Sequence, residues 1–145
     1  MKPCLVDVNV LLALLVPRHD HHKMVLKWFD GLAAAQAGLC RFAQLGLIRL
    51  LANRSVMGDY AVPASEGWLL VDQLLRDERI EFISEPSAID SVLPKLLHQK
   101  VPGGKLVGDA YLAAFAIASV RRMVTLDAGF RSFRGLELHL IRGGS

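Results

Sequence analysis

Short apolar segments with the character of β-strands alternate with helical segments along the whole chain. Strands are predicted at Cys4–Val6, Leu39–Cys40, Ile80–Ile83, Met123–Leu126 and Leu138–Ile141. Helices are predicted between them at Val8–Val16, His21–Ala35, Phe42–Leu51, Ala64–Arg76, Pro86–Gln99 and Asp109–Val120. Such alternation favours a parallel sheet that is covered by helices on both faces. We therefore predict an α/β fold, a three-layer α/β/α sandwich around a mainly parallel sheet.

Local residue chemistry predicts the ends and faces of several helices. Asp20 is a suitable N-cap for the second helix, because its carboxylate can accept a hydrogen bond from the first turn. Helical spacing places Leu45 and Ile48 on the inner face of the third helix, with Leu51 or Leu47 as a further candidate for that face. Loops are predicted at Asn53–Pro63 and Val101–Gly104, which contain glycine and proline.

The length and hydropathy of the chain limit its class. The 145 residues fit a single domain, 1–145, with 142–145 as a flexible tail. The composition is 52% hydrophobic, but the longest apolar stretches, Val10–Val16 and Ala110–Val120, are shorter than the roughly 20 residues of a membrane span. Asp7 interrupts the apolar run at the start, which therefore does not resemble a signal peptide. We expect a cytoplasmic protein without a membrane partner, either an ordinary globular domain or one whose apolar surface is covered by a partner or second copy.

Charge, cysteines and aromatic residues restrict the function only weakly. The net charge of +3 allows nucleic-acid binding, although scattered surface residues explain it equally well. The two cysteines, Cys4 and Cys40, lie in short apolar segments and are expected to be buried free thiols. Tryptophan and phenylalanine at helical core spacing, which include Trp68 and Phe115, are interpreted as packing or interface residues and not as base-stacking platforms.

Three aspartates are candidates for one metal site. Asp7 and Asp127 follow predicted strands, and the carboxyl ends of parallel strands meet at one edge of a sheet. Asp109 is expected at the start of a helix, where the helix dipole favours a charged carboxylate. Converging carboxylates repel each other unless a cation is present, and Mg²⁺ or Mn²⁺ suits oxygen ligands. This chemistry favours hydrolysis of a phosphodiester by a metal-activated water; taken singly, Asp7 and Asp109 could equally be helix caps.

These carboxylates lie in segments that resemble a known family. Leu5–Leu14, Gly108–Ala114 and Thr125–Phe130 resemble the opening, third and fourth acidic motifs of PIN domains, and Ala43–Leu51 is similar to the central run of the VapC-type toxins among them. Together the motifs span nearly the whole chain. The resemblance implies an α/β/α sandwich that cleaves RNA with Mg²⁺ or Mn²⁺. It also implies a homodimer and a VapB-like antitoxin that packs against the toxin and obstructs its site.

The resemblance assigns roles to individual residues. Asp7 and Asp109 would be the leading metal ligands, and Asp127 would complete the site directly or through water. Thr125, in the fourth motif, would support it. Asn9 would orient the first carboxylate or a water, or would instead cap a helix.

Gln44 departs from the family pattern. Many PIN domains have a glutamate in the helix after the second strand, and Gln44 occupies the matching position. Because its oxygen is uncharged, we expect one well-held metal and a second that is weak or arrives with the substrate. Gln44 could alternatively be a plain helix-surface residue.

Two functions remain open at this point. The first is a metal-dependent endoribonuclease that acts as the toxin of a toxin–antitoxin pair. The second is a catalytically weakened PIN-like module that binds RNA or protein, which Gln44 favours. Arg49 could contact RNA phosphate or a site carboxylate, or it could form an ordinary salt bridge.

Overall fold

A five-stranded sheet forms the centre of the molecule in a computed structural model that describes residues 2–99 and 104–142. The strands are β1 (Cys4–Val6), β2 (Ala37–Cys40), β3 (Ile80–Ile83), β4 (Arg122–Thr125) and β5 (Leu138–Leu140). Their order is β3-β2-β1-β4-β5, and every pair is parallel. Because the first strand lies in the middle, the residues that follow β1 stand between those that follow β2 and β4.

Seven helices and two short 3₁₀ segments connect the described strands. The helices are α1 (Val8–Leu15), α2 (His22–Asp30), α3 (Arg41–Leu51), α4 (Arg54–Met57), α5 (Ala64–Leu74), α6 (Ile89–His98) and α7 (Gly104–Ala118), and the 3₁₀ segments are Gly58–Tyr60 and Ala128–Ser132. Helix α1 packs against α2 and α3, α3 packs against α5, and α6 packs against α7. No helix in the described part of the chain is long and apolar enough to cross a bilayer.

Strands β1 and β2 are buried along their whole length. All residues of β1 and β2 are inaccessible or nearly so, among them Cys4 and Cys40, which are free thiols as predicted. Continuous apolar runs of this kind are typical of parallel strands that are covered on both faces. Gly38 in β2 has no room for a side chain, since an added Cβ would lie 2.8 Å from the carbonyl oxygen of Cys4. The packed centre therefore fixes the positions of the strand ends.

Several predicted helix ends are wrong. Helix α2 ends at Asp30 rather than Ala35, and its N-cap is His21, whose side chain makes no capping hydrogen bond, rather than Asp20. Helix α6 begins at Ile89 instead of Pro86. The chain turns sharply at Ala35, whose φ of 58° is unusual for a residue other than glycine.

The segment predicted as a loop between residues 53 and 63 contains α4 and the first 3₁₀ segment. The side chain of Asn53 accepts a hydrogen bond from the Ser55 amide and caps α4. Gly58 follows with a φ of 58°, which favours glycine. Most of the other predicted loop, 101–104, lies outside the described residues, as do residues 143–145 of the predicted tail.

The turn before β3 gives a testable pH dependence. The Arg79 side chain and amide donate hydrogen bonds to the Asp77 carboxylate, and these bonds lower the pKa of Asp77 from 3.8 to about 2. A carboxyl whose pKa is lower in the folded state stabilises the fold above its unfolded pKa, and this contribution is lost as the pH falls towards 2. Because the pair is partly exposed, we expect an effect below about 1 kcal/mol. Urea unfolding at a series of acidic pH values should show a shallower loss of stability for Asp77→Asn than for the parent, and equal slopes would contradict this prediction.

Candidate functional site

An open cavity of about 1130 Å³ lies at the carboxyl edge of the sheet. Its polar lining consists of Asp7, Asn9, Arg41, Ser84, Glu85, Asp109, Tyr111 and Asp127. Its apolar lining includes Phe42, Leu45, Phe82, Leu93, Val107 and Phe115. The cavity thus brings together all three aspartates that the sequence analysis selected, and it places an extended apolar wall beside them.

Asp7 is a buried carboxylate at the end of β1. It is 6% exposed, and its Oδ1 accepts a hydrogen bond of 2.8 Å from the Val8 amide, which caps α1. Burial raises the pKa of Asp7, and the nearby charges of Asp109 and Asp127 raise it further, while hydrogen bonds from Thr125 and Val8 oppose the shift. The capping alternative is therefore also correct for this residue. A helix cap alone does not account for a buried carboxylate that faces two others.

Thr125 links the ends of β1 and β4. Thr125 is fully buried, and its hydroxyl donates a hydrogen bond of 2.6 Å to Oδ2 of Asp7. The hydroxyl oxygen of Thr125 in turn accepts a hydrogen bond of 3.0 Å from the Asp127 amide. The Asp127 side chain accepts from the amide of Gly129 at 2.8 Å. One hydroxyl group therefore fixes both the first carboxylate and the backbone that presents the last one.

Asn9 holds the same region from the side of α1. Its Oδ1 accepts a hydrogen bond of 3.3 Å from the amide of Leu126, in the segment between Thr125 and Asp127. The side chain that caps α1 belongs to Asp7, so Asn9 is not the cap. Asn9 lines the cavity and restrains the chain that carries Asp127.

Replacing the buried hydroxyl should disturb both stability and the site. Thr125→Val keeps the shape of the side chain but leaves a buried Asp7 oxygen and the Asp127 amide without their partner. We expect a loss of about 1–3 kcal/mol in the free energy of unfolding, together with a fall in activity. Thr125→Ser retains the hydroxyl and is the matched control. Chemical denaturation of both variants checks the prediction, which would fail if valine were tolerated as well as serine.

Asp109 lies inside a helix and not at its start. Helix α7 begins at Gly104, so the predicted N-terminal position of Asp109 is wrong. The preceding glycine allows close packing, because a Cβ on Gly108 would lie 3.0 Å from Cζ of Phe42. Asp109 consequently faces the cavity from the side of α7, within electrostatic range of Asp7.

Gln44 and Arg49 occupy different environments on α3. Gln44 is 2% exposed and does not line the cavity, and its Oε1 accepts a hydrogen bond from Nη1 of Arg41. It is therefore not a helix-surface residue. Arg49 is exposed in the last turn of α3, does not line the cavity and forms no ion pair with the described residues.

Three cavity residues were not selected from the sequence. Glu85 follows β3 and accepts a hydrogen bond of 2.5 Å from the hydroxyl of Tyr111, whose pKa is raised by burial and by this carboxylate. Arg41 directly follows β2. The rule that selected Asp7 and Asp127, a polar residue at a strand end, could have found both Glu85 and Arg41.

The carboxylates do not form a complete metal-binding group by themselves. Among the residues that the structure describes, no three aspartate, glutamate, histidine or cysteine side chains are close enough together for that. The donor chemistry nevertheless fits a hard divalent cation, since the cavity offers carboxylate oxygens and the burial of Asp7 beside two like charges is unfavourable without one.

Comparison with known proteins identifies the family. The PIN domain matches residues 4–136. The sequence is 36% identical over 142 residues to Ribonuclease VapC41 of Mycobacterium tuberculosis, across 94% of this chain and 97% of that protein. The chain belongs to the VapC group of the PIN-domain family. The resemblance drawn from the acidic motifs is thereby confirmed.

Solved structures of VapC proteins share the fold of this VapC-type chain. One is the VapBC-1 complex of nontypeable Haemophilus influenzae, with a TM-score of 0.68 at 14% identity, covering 94% of this chain and 96% of the solved one. Another is VapC20 of Mycobacterium tuberculosis, described as a toxin that cleaves the sarcin–ricin loop, with a TM-score of 0.65 at 11% identity, covering 92% of this chain and 98% of the solved one. The predicted three-layer α/β/α sandwich is confirmed.

Proposed function

We propose that this chain is a metal-dependent endoribonuclease that hydrolyses RNA phosphodiester bonds and acts as the toxin of a toxin–antitoxin pair. The observation that carries the proposal is the buried carboxylate of Asp7, which is held facing Asp109 and Asp127 although their charges oppose it. An arrangement that lowers stability and faces an open cavity is typical of a functional site. The name of the relative VapC41, a ribonuclease, agrees with this chemistry.

Asp7, Asp109 and Asp127 are the residues that would hold Mg²⁺ or Mn²⁺. Because Mg²⁺ commonly retains several waters and takes only one or two protein carboxylates, an incomplete protein ligand set is compatible with binding. When bound, such a cation would neutralise the charge of a phosphodiester and make a water molecule more nucleophilic. Because Gln44 is uncharged and does not line the cavity, α3 supplies no fourth carboxylate, which supports one well-held metal.

The other residues of the site position these groups. Thr125 fixes the rotamer of Asp7 and the backbone of Asp127, while Asn9 restrains the segment between them. Glu85, which also lines the cavity, is held by a hydrogen bond from the Tyr111 hydroxyl.

Cleavage of RNA tests the proposal directly. Purified protein, free of any partner, is incubated with total bacterial RNA in Mg²⁺ or Mn²⁺ and, in parallel, with a chelator. Discrete cleavage that needs the metal is the expected result, and calorimetry without RNA should detect one tight metal site. Two tight sites would contradict the single-metal proposal. Absence of both cleavage and metal binding would contradict the enzyme and favour a module that only binds RNA or protein.

A VapB-like antitoxin and a second copy of the chain are the proposed protein partners. Several solved neighbours are VapBC complexes, and the apolar wall beside the carboxylates suits a peptide segment that would cover the site. Large apolar side chains also remain exposed elsewhere, such as Leu69 and Val120. The product of a small neighbouring gene should abolish cleavage when added in equimolar amount, and sedimentation should give the mass of a dimer.

A further inference from the structure

An arginine lies close to two exposed aromatic rings at the edge of the cavity, and one of these rings lines the cavity with it. The guanidinium carbon of Arg41 lies 4.9 Å from the centre of the Phe82 ring and 5.8 Å from that of Trp68. Phe82 is 38% exposed and Trp68 is 46% exposed, so of the two predicted roles of Trp68, packing and interface, its exposure does not fit core packing. We call these three residues the aromatic–arginine platform. Arg41 and Phe82 share the cavity with the catalytic carboxylates.

The platform is held in place by Gln44. The buried amide oxygen of Gln44 accepts a hydrogen bond from Nη1 of Arg41, which orients the guanidinium without cancelling its charge. Within the described part of the chain, Arg41 forms no ion pair. Glu85, an acidic residue that lines the same cavity, accepts a hydrogen bond from Tyr111 and does not pair with Arg41. A glutamate at position 44 would pair with Arg41 and neutralise it. Gln44 therefore leaves a positioned positive charge beside an acidic centre.

We propose that the aromatic–arginine platform binds a single-stranded nucleotide next to the phosphate that is cleaved. Arg41 pairs with a backbone phosphate, and an unpaired base stacks on the exposed part of Phe82, while Trp68 supports the guanidinium from the other side. The inference rests on the proposed ribonuclease function. Exposed aromatic rings beside a cation are the features by which proteins hold single-stranded nucleic acid, and a guanidinium matches phosphate geometry. Gln44 is then a positioning residue for RNA binding rather than a lost metal ligand.

Binding without cleavage tests this inference. The Asp7→Asn protein, which keeps the platform, is titrated in chelator against a fluorescein-labelled, mixed-sequence single-stranded RNA at several salt concentrations. Arg41→Gln in this background should weaken binding roughly tenfold, and should reduce the slope of log affinity against log salt by about 0.7, the value for one phosphate contact to a single strand. Phe82→Leu should weaken binding by about the same factor with an unchanged slope.

Gln44→Glu separates the two roles of position 44. If Gln44 only replaces a metal ligand, the added carboxylate strengthens metal binding and leaves RNA binding in chelator unchanged, which would overturn the inference. We expect instead that Gln44→Glu lowers RNA affinity and the salt slope as Arg41→Gln does. Arg54→Gln, which removes the same charge outside this cavity, is the matched control and should change neither quantity.

The outcomes distinguish this inference from the proposed function. A wild type that cleaves RNA, combined with binding that is independent of Arg41, would overturn the platform alone. Binding that depends on Arg41 in a protein that never cleaves RNA would overturn the enzyme alone. If the Asp7→Asn protein binds no single-stranded RNA, or if Phe82→Leu weakens the binding of a duplex as much as that of a single strand, the platform is overturned.

Discussion

The Asp7→Asn variant is expected to lose RNA cleavage by roughly a thousandfold, because a metal site contributes several kcal/mol to transition-state stabilisation and each 1.36 kcal/mol is a factor of ten. The same variant should be at least as stable as the parent in chelator. Asparagine fills the same space and accepts the hydrogen bond from the Val8 amide. Its amide group replaces the oxygen to which Thr125 donates, but the removal of a buried charge that Asp109 and Asp127 oppose outweighs this loss. Loss of activity with a gain in stability is characteristic of a residue kept for function.

Two measurements are needed for this prediction, cleavage of RNA in Mn²⁺ and denaturant unfolding in chelator. Asp59→Asn is the matched control, since the side chain of Asp59 is 97% exposed and lies outside the cavity. It should change neither cleavage nor stability. If Asp7→Asn cleaves RNA at the parent rate, the assignment of Asp7 as a metal ligand is wrong, and if the variant is clearly less stable than the parent, the prediction that the buried charge of Asp7 lowers stability is wrong.

Leu5→Ala is expected to lower the free energy of unfolding by about 2–5 kcal/mol, the usual range when a buried leucine is replaced by alanine. Leu5 is 0% exposed in the central strand β1, where it is paired with Gly38 of β2 and Met123 of β4. The neighbouring strands cannot collapse into the space, because each is held by its own ladder of hydrogen bonds. A change of this size is a large fraction of the stability of a domain of this length.

Urea denaturation of the purified protein measures the effect. Leu69→Ala is the control, since Leu69 is 61% exposed and its truncation should change stability by no more than about 0.5 kcal/mol. Leu5 is two positions from Asp7 but does not line the cavity. Cleavage by the Leu5→Ala protein should therefore fall only under conditions in which the protein is partly unfolded. A loss of activity in a fully folded Leu5→Ala protein would indicate that packing under β1 sets the geometry of the site.

The strands and their terminal carboxylates could be predicted because one rule decides both. Apolar segments followed by a polar residue gave β1 with Asp7 and β4 with Asp127, and a parallel sheet brings such ends to one edge. The role of the buried Thr125 hydroxyl was predicted only because Thr125 lies in the fourth acidic motif. Its bond to Asp7 depends on the register in which Val6 pairs with Val124, and composition does not determine register.

The faces of α3 could not be read from periodicity. The predicted inner residue Leu45 is 49% exposed and lines the cavity, so its placement is wrong, whereas Leu47 and Leu51, the further candidates for the inner face, are both buried. Helix α3 is apolar on two sides, one against the core and one along the cavity, so a search for a single stripe selects the wrong one. The predicted helix start at Asp109 was also wrong, since α7 begins at Gly104 and Gly108 lies within it, close to Phe42.

The bond between Thr125 and Asp7 joins residues that are 118 positions apart. During synthesis Asp7 is made early, but its partner strand and the last aspartate are translated only after most of the chain exists. A nascent or prematurely terminated chain that ends before β4 has neither the hydroxyl that orients Asp7 nor the third carboxylate. This order of translation means that the proposed metal site can be assembled only near the end of synthesis of the chain.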